Sequence, residues 1–318
     1  MRILLLSIFT VFAFWQTVYS EELFNFQFEK ISHLENLPNN EILRLYQDSD
    51  GFIWIATTGG LYQFDGYELT EYRSNVYNFG LLTHNRITCL QEDSNKNLYI
   101  GTNEGLNILD KRTGKIKQSQ CNEFQKNYIA NIIVTNEQEI WVGTDRGLFN
   151  YQLENDSCIK VLNKMVRGML VDSRGDVWIG TWSSGLYRYS TKDKQWFEYP
   201  QMNEYNSAHV IFEDSKQRIW VGSFGKGIML LHNPHDLNKL SWTTFSAESP
   251  TNNISDNYIY AITENPETKT MWLGTRKGIS ITPVSPDPNQ IKWNNIYPSG
   301  NPNTVSYTHL RAHETLMN

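Results

Sequence analysis

Four aspartates, Asp48, Asp93, Asp172 and Asp214, recur at one place in a repeating pattern, each opening a short turn ahead of an apolar strand. A ring of carboxylates could do acid–base chemistry. An Asx turn, in which the side chain caps backbone amides, uses the same residue at the same place and is the better reading. Among the seven histidines, His84 and His209 fall beside strands that would face a central channel. A general base must reach its substrate and is commonly tuned by a partner. These two imidazoles belong to repeats nearly opposite one another, and no His-x-His or close His/Glu pair accompanies them, so a shared metal is not expected. His33, His232 and His235 fall outside the inner strands. The chain is therefore expected to carry no catalytic residue, no metal and no cofactor.

Binding chemistry is better represented. The variable positions of a recurrent Gly-Thr-x-x-Gly turn hold Asp145/Arg146, Trp182/Ser183, Phe224/Lys226 and Arg276/Lys277. The links between repeats add His84-Asn85-Arg86, Arg167, Tyr205-Asn206 and Asn257-Tyr258. Aromatic rings beside arginine and asparagine suit a saccharide, whose C–H face stacks on a ring while its hydroxyls or acids take directional hydrogen bonds. Arg146, Trp182, Phe224, Tyr258 and Arg276 are the candidate ligand-binding residues, and an oligosaccharide is the candidate ligand.

The elements that must position these side chains repeat six times. The motif reads Gly51-Phe-Ile-Trp54-Ile-Ala-Thr-Thr-Gly-Gly60-Leu in its first copy and Asp176-Val-Trp178-Ile-Gly-Thr-Trp-Ser-Ser-Gly185-Leu in its fourth. Its anchors, Trp54, Tyr99, Trp141, Trp178, Trp220 and Trp272, lie 45, 42, 37, 42 and 52 residues apart. A period of roughly 40–50 residues containing several short strands signals a β-propeller blade. In the fourth repeat, Val166 to Val171, Val177 to Thr181, Leu186 to Tyr189 and Trp196 to Tyr199 read as four strands separated by turns. The first strands should ring the channel, and the anchor of the second should lie where blades press together. The later glycines (Gly60, Gly105, Gly147, Gly185, Gly227, Gly278) suit positive φ in the hairpin. The earlier ones (Gly101, Gly143, Gly180, Gly222, Gly274) suit close approach of the next blade. The turn between second and third strands would open on the same face as the inter-blade links, gathering the candidate binding residues around one mouth.

The formal charge of −6 comes without any basic run, which argues against nucleic acid as a partner. Aromatic residues make up 13% of the chain, with 10 tryptophans, as suits a β-rich core. The three cysteines, Cys89, Cys121 and Cys158, have neither metal-like nor redox spacing. Cys89 reads as a buried thiol, and no disulfide is expected, Cys121–Cys158 included.

Residues 1–20 resemble a signal peptide, with Arg2 ahead of an apolar stretch and Val18-Tyr-Ser20 before Glu21. Residues 21–305 read as a partial propeller. Phe24-Asn-Phe-Gln-Phe28-Glu-Lys-Ile31 alternates like a spare strand, although the first repeat has four of its own and Gln290-Ile-Lys-Trp293 supplies an outer strand for the sixth. Six recognisable blades of an expected seven follow, the seventh being cut off at the C-terminus. Such open edges would favour poor solubility or swapping between copies. Residues 306–318, with His309 and His313, break the repeat and read as a non-native tail.

The pattern Asp-x-x-Gly-x-Ile-Trp-Ile-Gly-Thr-x-x-Gly-Leu resembles the two-component regulator propeller repeat over about residues 28–305. Leu34-Glu-Asn-Leu-Pro-Asn-Asn-Glu-Ile42, followed by Tyr46-Gln-Asp-Ser-Asp-Gly-Phe-Ile-Trp54, looks like the start of the first propeller in hybrid two-component sensors of Bacteroides-type bacteria. The resemblance implies a periplasmic sensor of oligosaccharides, anchored in the inner membrane. Its partners would be the remainder of the sensor chain, with a histidine kinase output, and a second copy in a homodimer. Streptogramin lyases are similar in repeat and imply the alternative of a secreted propeller lyase. A protein-interaction scaffold is the third reading. The sialidase Asp box is not matched: its Asp stands two residues before Gly, against three here.

Overall fold

The computed structural model describes residues 41–74, 81–200, 207–285, 287 and 290–297. The expected signal peptide, the spare strand at 24–31, the start of a seventh blade and the tail at 306–318 lie outside the described residues, as do Tyr205 and Asn206. Among the described residues there are six antiparallel four-stranded sheets and no α-helix. Each sheet keeps its strands in chain order, so every blade is a meander built from one repeat.

The inner strands are Ile42–Gln47, Ile87–Glu92, Ile129–Val134, Val166–Val171, Ala208–Glu213 and Ile259–Asn265. They surround a channel, and from the first blade to the sixth each packs on the next; the inner strands of blades six and one do not pack on each other in that way. In blade four the strands run Val166–Val171, Val177–Thr181, Leu186–Ser190 and Gln195–Tyr199, matching the repeat-based expectation. Blade six departs from it. The outer strand is Asn294–Ile296, not 290–293. Ile291 and Trp293 are buried instead, with the Trp293 ring 6.2 Å from Trp220 and 5.7 Å from Phe245. Core burial of two large apolar side chains takes them out of the edge strand.

The second strands carry the aromatic anchors into the seams. Trp54, Trp178 and Trp220 are essentially fully buried. Trp54 packs with Leu90, Leu98 and Ile100 of blade two, and Trp178 with Ile219 and Val221 of blade five. Close approach at these seams depends on missing side chains. A Cβ on Gly180 would stand 2.8 Å from the Cβ of Ala208 in the next blade, and one on Gly222 would stand 2.8 Å from Ile259. Five of the later glycines take positive φ, Gly185 at 71° and Gly227 at 80° among them; Gly278 does not.

The recurrent aspartates are turn caps. One oxygen of Asp48 accepts the amides of Asp50 and Phe52, both at 3.0 Å, while the other accepts the Trp54 indole N–H at 2.8 Å. Asp214 does the same for Lys216, Arg218 and Trp220. Asp93 caps Asn95 and Asn97 and accepts the Tyr99 hydroxyl at 3.0 Å. Serines in these turns latch adjacent blades together: the amides of Ser49, Ser173 and Ser215 donate to Glu92, Glu213 and Glu264 at 2.6–2.7 Å.

Cysteine pairing departs from expectation. Cys121 and Cys158 form a disulfide across 37 residues, joining the segment before blade three to that blade's outer strand. The sequence alone gave no reason to pair them, because the folding of blade three is what brings their Cα atoms to 6.4 Å. Cys89 is buried and free, as expected, and burial pushes its thiol up to about 12.

Candidate functional site at the channel mouth

Every inner strand contains the same irregularity near its start. The register against the second strand skips one residue between Ile42 and Arg44, Ile87 and Cys89, Val166 and Gly168, Ala208 and Val210, and Ile259 and Ala261, with a matching shift opposite Gly143/Thr144 in blade three. A β-bulge leaves one residue unpaired and re-aims its side chain. In blades four, five and six that residue is Arg167, His209 and Tyr260, and all three line the channel. In blade two it is Thr88, whose hydroxyl instead donates to the Ile129 carbonyl of blade three at 2.6 Å. The channel wall is therefore unequal around its circumference, with large polar side chains from the bulges of blades four to six and Arg44 from blade one.

The candidate binding residues extend that side. Trp182, in the second turn of blade four, is 40% exposed and lies 6.0 Å from Phe224 in the same turn of blade five. Phe224 meets Tyr258 edge-on at 4.8 Å, and the two form a backbone bridge between blade five and the link to blade six. The Arg276 guanidinium stands 4.0 Å over the Tyr258 ring and donates to Asp256 at 3.2 Å. Trp182, Phe224, Tyr258 and Arg276 thus form a continuous rail of contacts. Arg146 is outside it: its side chain is exposed on blade three, and the backbone amide caps onto Thr144.

His209 and Tyr260 reach the rail from below, 5.1 and 5.7 Å from Phe224. Arg167 joins it from the other end, 5.2 Å over Trp182 and 5.6 Å over Tyr128. Arg44, Tyr128 and Tyr260 were not singled out by the repeat pattern. For Tyr260 the usable signal was the residue after the first apolar position of an inner strand, as in Val166-Arg167, Ala208-His209 and Ile259-Tyr260, a pattern that Arg44 and Tyr128 do not share. Arg44, Arg167, His209 and Tyr260 line a cavity of about 350 Å³, at the lower end of small-ligand sites.

Among the described residues His209 is the one imidazole lining this cavity. Burial, assisted by the charges of Arg44 and Arg167, pulls it down to about 4, so the ring is neutral at pH 7. Its Nδ1 is buried without a hydrogen-bond partner among the described residues. His84 is not beside it; its Nδ1 accepts the Arg86 amide at 2.9 Å in the link before blade two. Among the described residues, the group able to hold a metal is Asp172, Asp176 and His235, on the opposite face. The Arg188 guanidinium already fills the cation's place there, donating to Asp176 at 2.8 Å and contacting His235.

Comparison with known proteins fits this architecture. Residues 36–59, 81–104 and 160–183 match the family described as two component regulator propeller. Over 206 residues the chain is 24% identical to histidine kinase P4 of Formosa agariphila, a match covering 57% of this chain and 14% of that protein. The extracellular domain assigned to the hybrid two component system BT3049 of B. thetaiotaomicron superposes with a TM-score of 0.67 and 21% identity. That alignment covers 88% of this chain and 37% of the other. Virginiamycin B lyase from Staphylococcus aureus shares the fold at TM-score 0.63 and 12% identity, covering 83% and 86%. The chain thus spans about one seventh of the kinase and just over one third of the ectodomain it resembles.

Proposed function

We propose that this chain is the ligand-reading propeller of an extracytoplasmic sensor and that its ligand is an oligosaccharide bound at the channel mouth. The observation that carries this reading is the rail of Trp182, Phe224 and Tyr258, closed by Arg276 over Tyr258. Rings presented edge and face toward an open mouth stack on sugar C–H faces, and the Arg276 guanidinium beside them donates to hydroxyls. The resemblance to a histidine kinase and to a two-component extracellular domain supports placing the propeller ahead of a membrane anchor and a kinase output. The remainder of that sensor, and a second copy of it, are the partners this reading calls for. The propeller itself performs no chemistry in this reading. Among the described residues the neutral His209 has no carboxylate beside it in the cavity to tune it as a base.

Isothermal titration of the chain against oligosaccharide panels tests the reading. Binding that falls at least tenfold in a Trp182→Ala, Arg276→Ala double variant of unchanged melting temperature supports it; unchanged affinity overturns the placement of the site. A lyase is the second reading, favoured by His209 in the cavity and by the shared fold with virginiamycin B lyase. Turnover of a streptogramin by the chain, abolished in His209→Ala, would put that reading first.

A further inference from the structure

The channel carries uncompensated positive charge. Among the described residues its walls include Arg44 and Arg167 and no aspartate or glutamate, in a chain whose formal charge is −6. Two other arginines near the mouth are matched, Arg86 by Glu41 at 3.8 Å and Arg276 by Asp256 at 3.2 Å. Among the described residues, neither Arg44 nor Arg167 has a carboxylate within 4.0 Å. Among the described residues their contacts engage few of their donors. Arg44 Nη1 donates to the Leu43 carbonyl at 2.8 Å. Arg167 stacks on Tyr128 and Trp182 and brings Nη2 to 3.3 Å from the Met165 sulfur. The two come from blades one and four, yet both line one cavity together with His209.

We propose that Arg44 and Arg167 seat the acidic substituent of a saccharide, a carboxylate or a sulfate ester, whose adjoining sugar residues lie along Trp182, Phe224 and Tyr258. This rests on the saccharide reading above. Guanidinium is weakly hydrated, always charged and forked, so it pairs well with either oxyanion in a partly enclosed site. Two like charges facing one cavity without a counter-ion repel, and an anion between them relieves that repulsion. The neutral His209 ring adds a hydrogen bond without adding charge. The stacking of Arg167 on Trp182 joins the anion seat to the rail, so one ligand spans both.

The test titrates the full chain with three tetrasaccharides: a 1,4-linked galacturonate, its carboxyl-reduced neutral counterpart and a sulfated galactan. Arg44→Gln and Arg167→Gln variants, checked for an unchanged melting temperature, are run beside the wild type. The proposal expects at least one acidic probe to bind tenfold or more tighter than the neutral one. That preference should fall about tenfold in each variant and shrink as salt rises. Binding of one acidic probe alone identifies the oxyanion; binding of both shows that the seat reads charge. Equal wild-type affinity for neutral and acidic probes overturns the anion seat and leaves the saccharide reading standing. A preference that survives in both variants also overturns it. No binding of any of the three removes both.

Discussion

The indole nitrogen of Trp178 donates to Asp172 Oδ2 at 2.8 Å, and the other oxygen of that carboxylate accepts the amides of Arg174 and Asp176 at 3.0 and 2.9 Å. One side chain therefore fixes both the turn between the first two strands of blade four and the aromatic that fills the seam to blade five. Asp172→Ala should cost about 3 kcal/mol in urea unfolding, because it orphans a buried indole N–H and turn amides. Glu137→Ala, which removes an exposed partner of Lys194, should leave the unfolding midpoint unchanged.

Lys111 makes the corresponding clasp between blades one and two, with its ammonium 2.6 Å from Asp48, 2.7 Å from Asp50 and 2.7 Å from Glu92. Burial alone would lower its proton affinity, but the hydrogen bonds to these carboxylates raise it. Lys111→Met leaves Asp48 and Glu92 buried and uncompensated. A loss of about 3 kcal/mol is expected, and unlike a surface pair it should persist in high salt.

Reduction of the Cys121–Cys158 disulfide releases a loop of 37 residues. A Cys121→Ser, Cys158→Ser variant should lose roughly 3–4 kcal/mol by the chain-entropy relation. In the native oxidised protein a thiol reagent should find almost nothing to label, since Cys89 is buried and its proton is held up to about 12. Rapid labelling before denaturant is added would show the pairing or the burial to be wrong.

Gly180 sits where blade four meets Ala208 of blade five, so Gly180→Ala forces the two blades apart. A destabilisation of about 1–3 kcal/mol is expected, with amide exchange accelerating in both blades rather than in blade four alone. An unperturbed exchange pattern in blade five would count against this close approach.

His209 gives stability a pH dependence of defined sign. Its folded-state value, about 4, lies below the ordinary histidine value of 6.5, so the unfolded chain binds the proton more readily. The contribution is present above pH 6.5 and is lost as pH falls from 6.5 toward 4, by at most about 1.4 kcal/mol per pH unit. Urea midpoints between pH 4.5 and 7.5 should fall less steeply for His209→Asn than for the wild type. Parallel curves would assign the slope to other groups.

Much of this was written into the chain. The six blades, their aromatic anchors and the Asp-capped turns follow from short-range patterns, because each blade is a meander closed within about 40 residues and its strand alternation and turn chemistry are local. The rail was legible for the same reason: Trp182, Phe224 and Arg276 occupy one hairpin position in successive repeats, so equal blades bring them to one mouth. Tertiary structure decided the rest. The Cys121–Cys158 pairing, the shift of the last outer strand to Asn294–Ile296 and the absence of Arg146 from the rail all depend on how a segment packs against elements outside its own hairpin. The meeting of Arg44 with Arg167 in one channel depends on a ring that places blade one within reach of blade four, together with the bulge of blade four that leaves Arg167 out of register. Periodicity specifies a blade; only the packing of blades against one another determines which charges share a cavity.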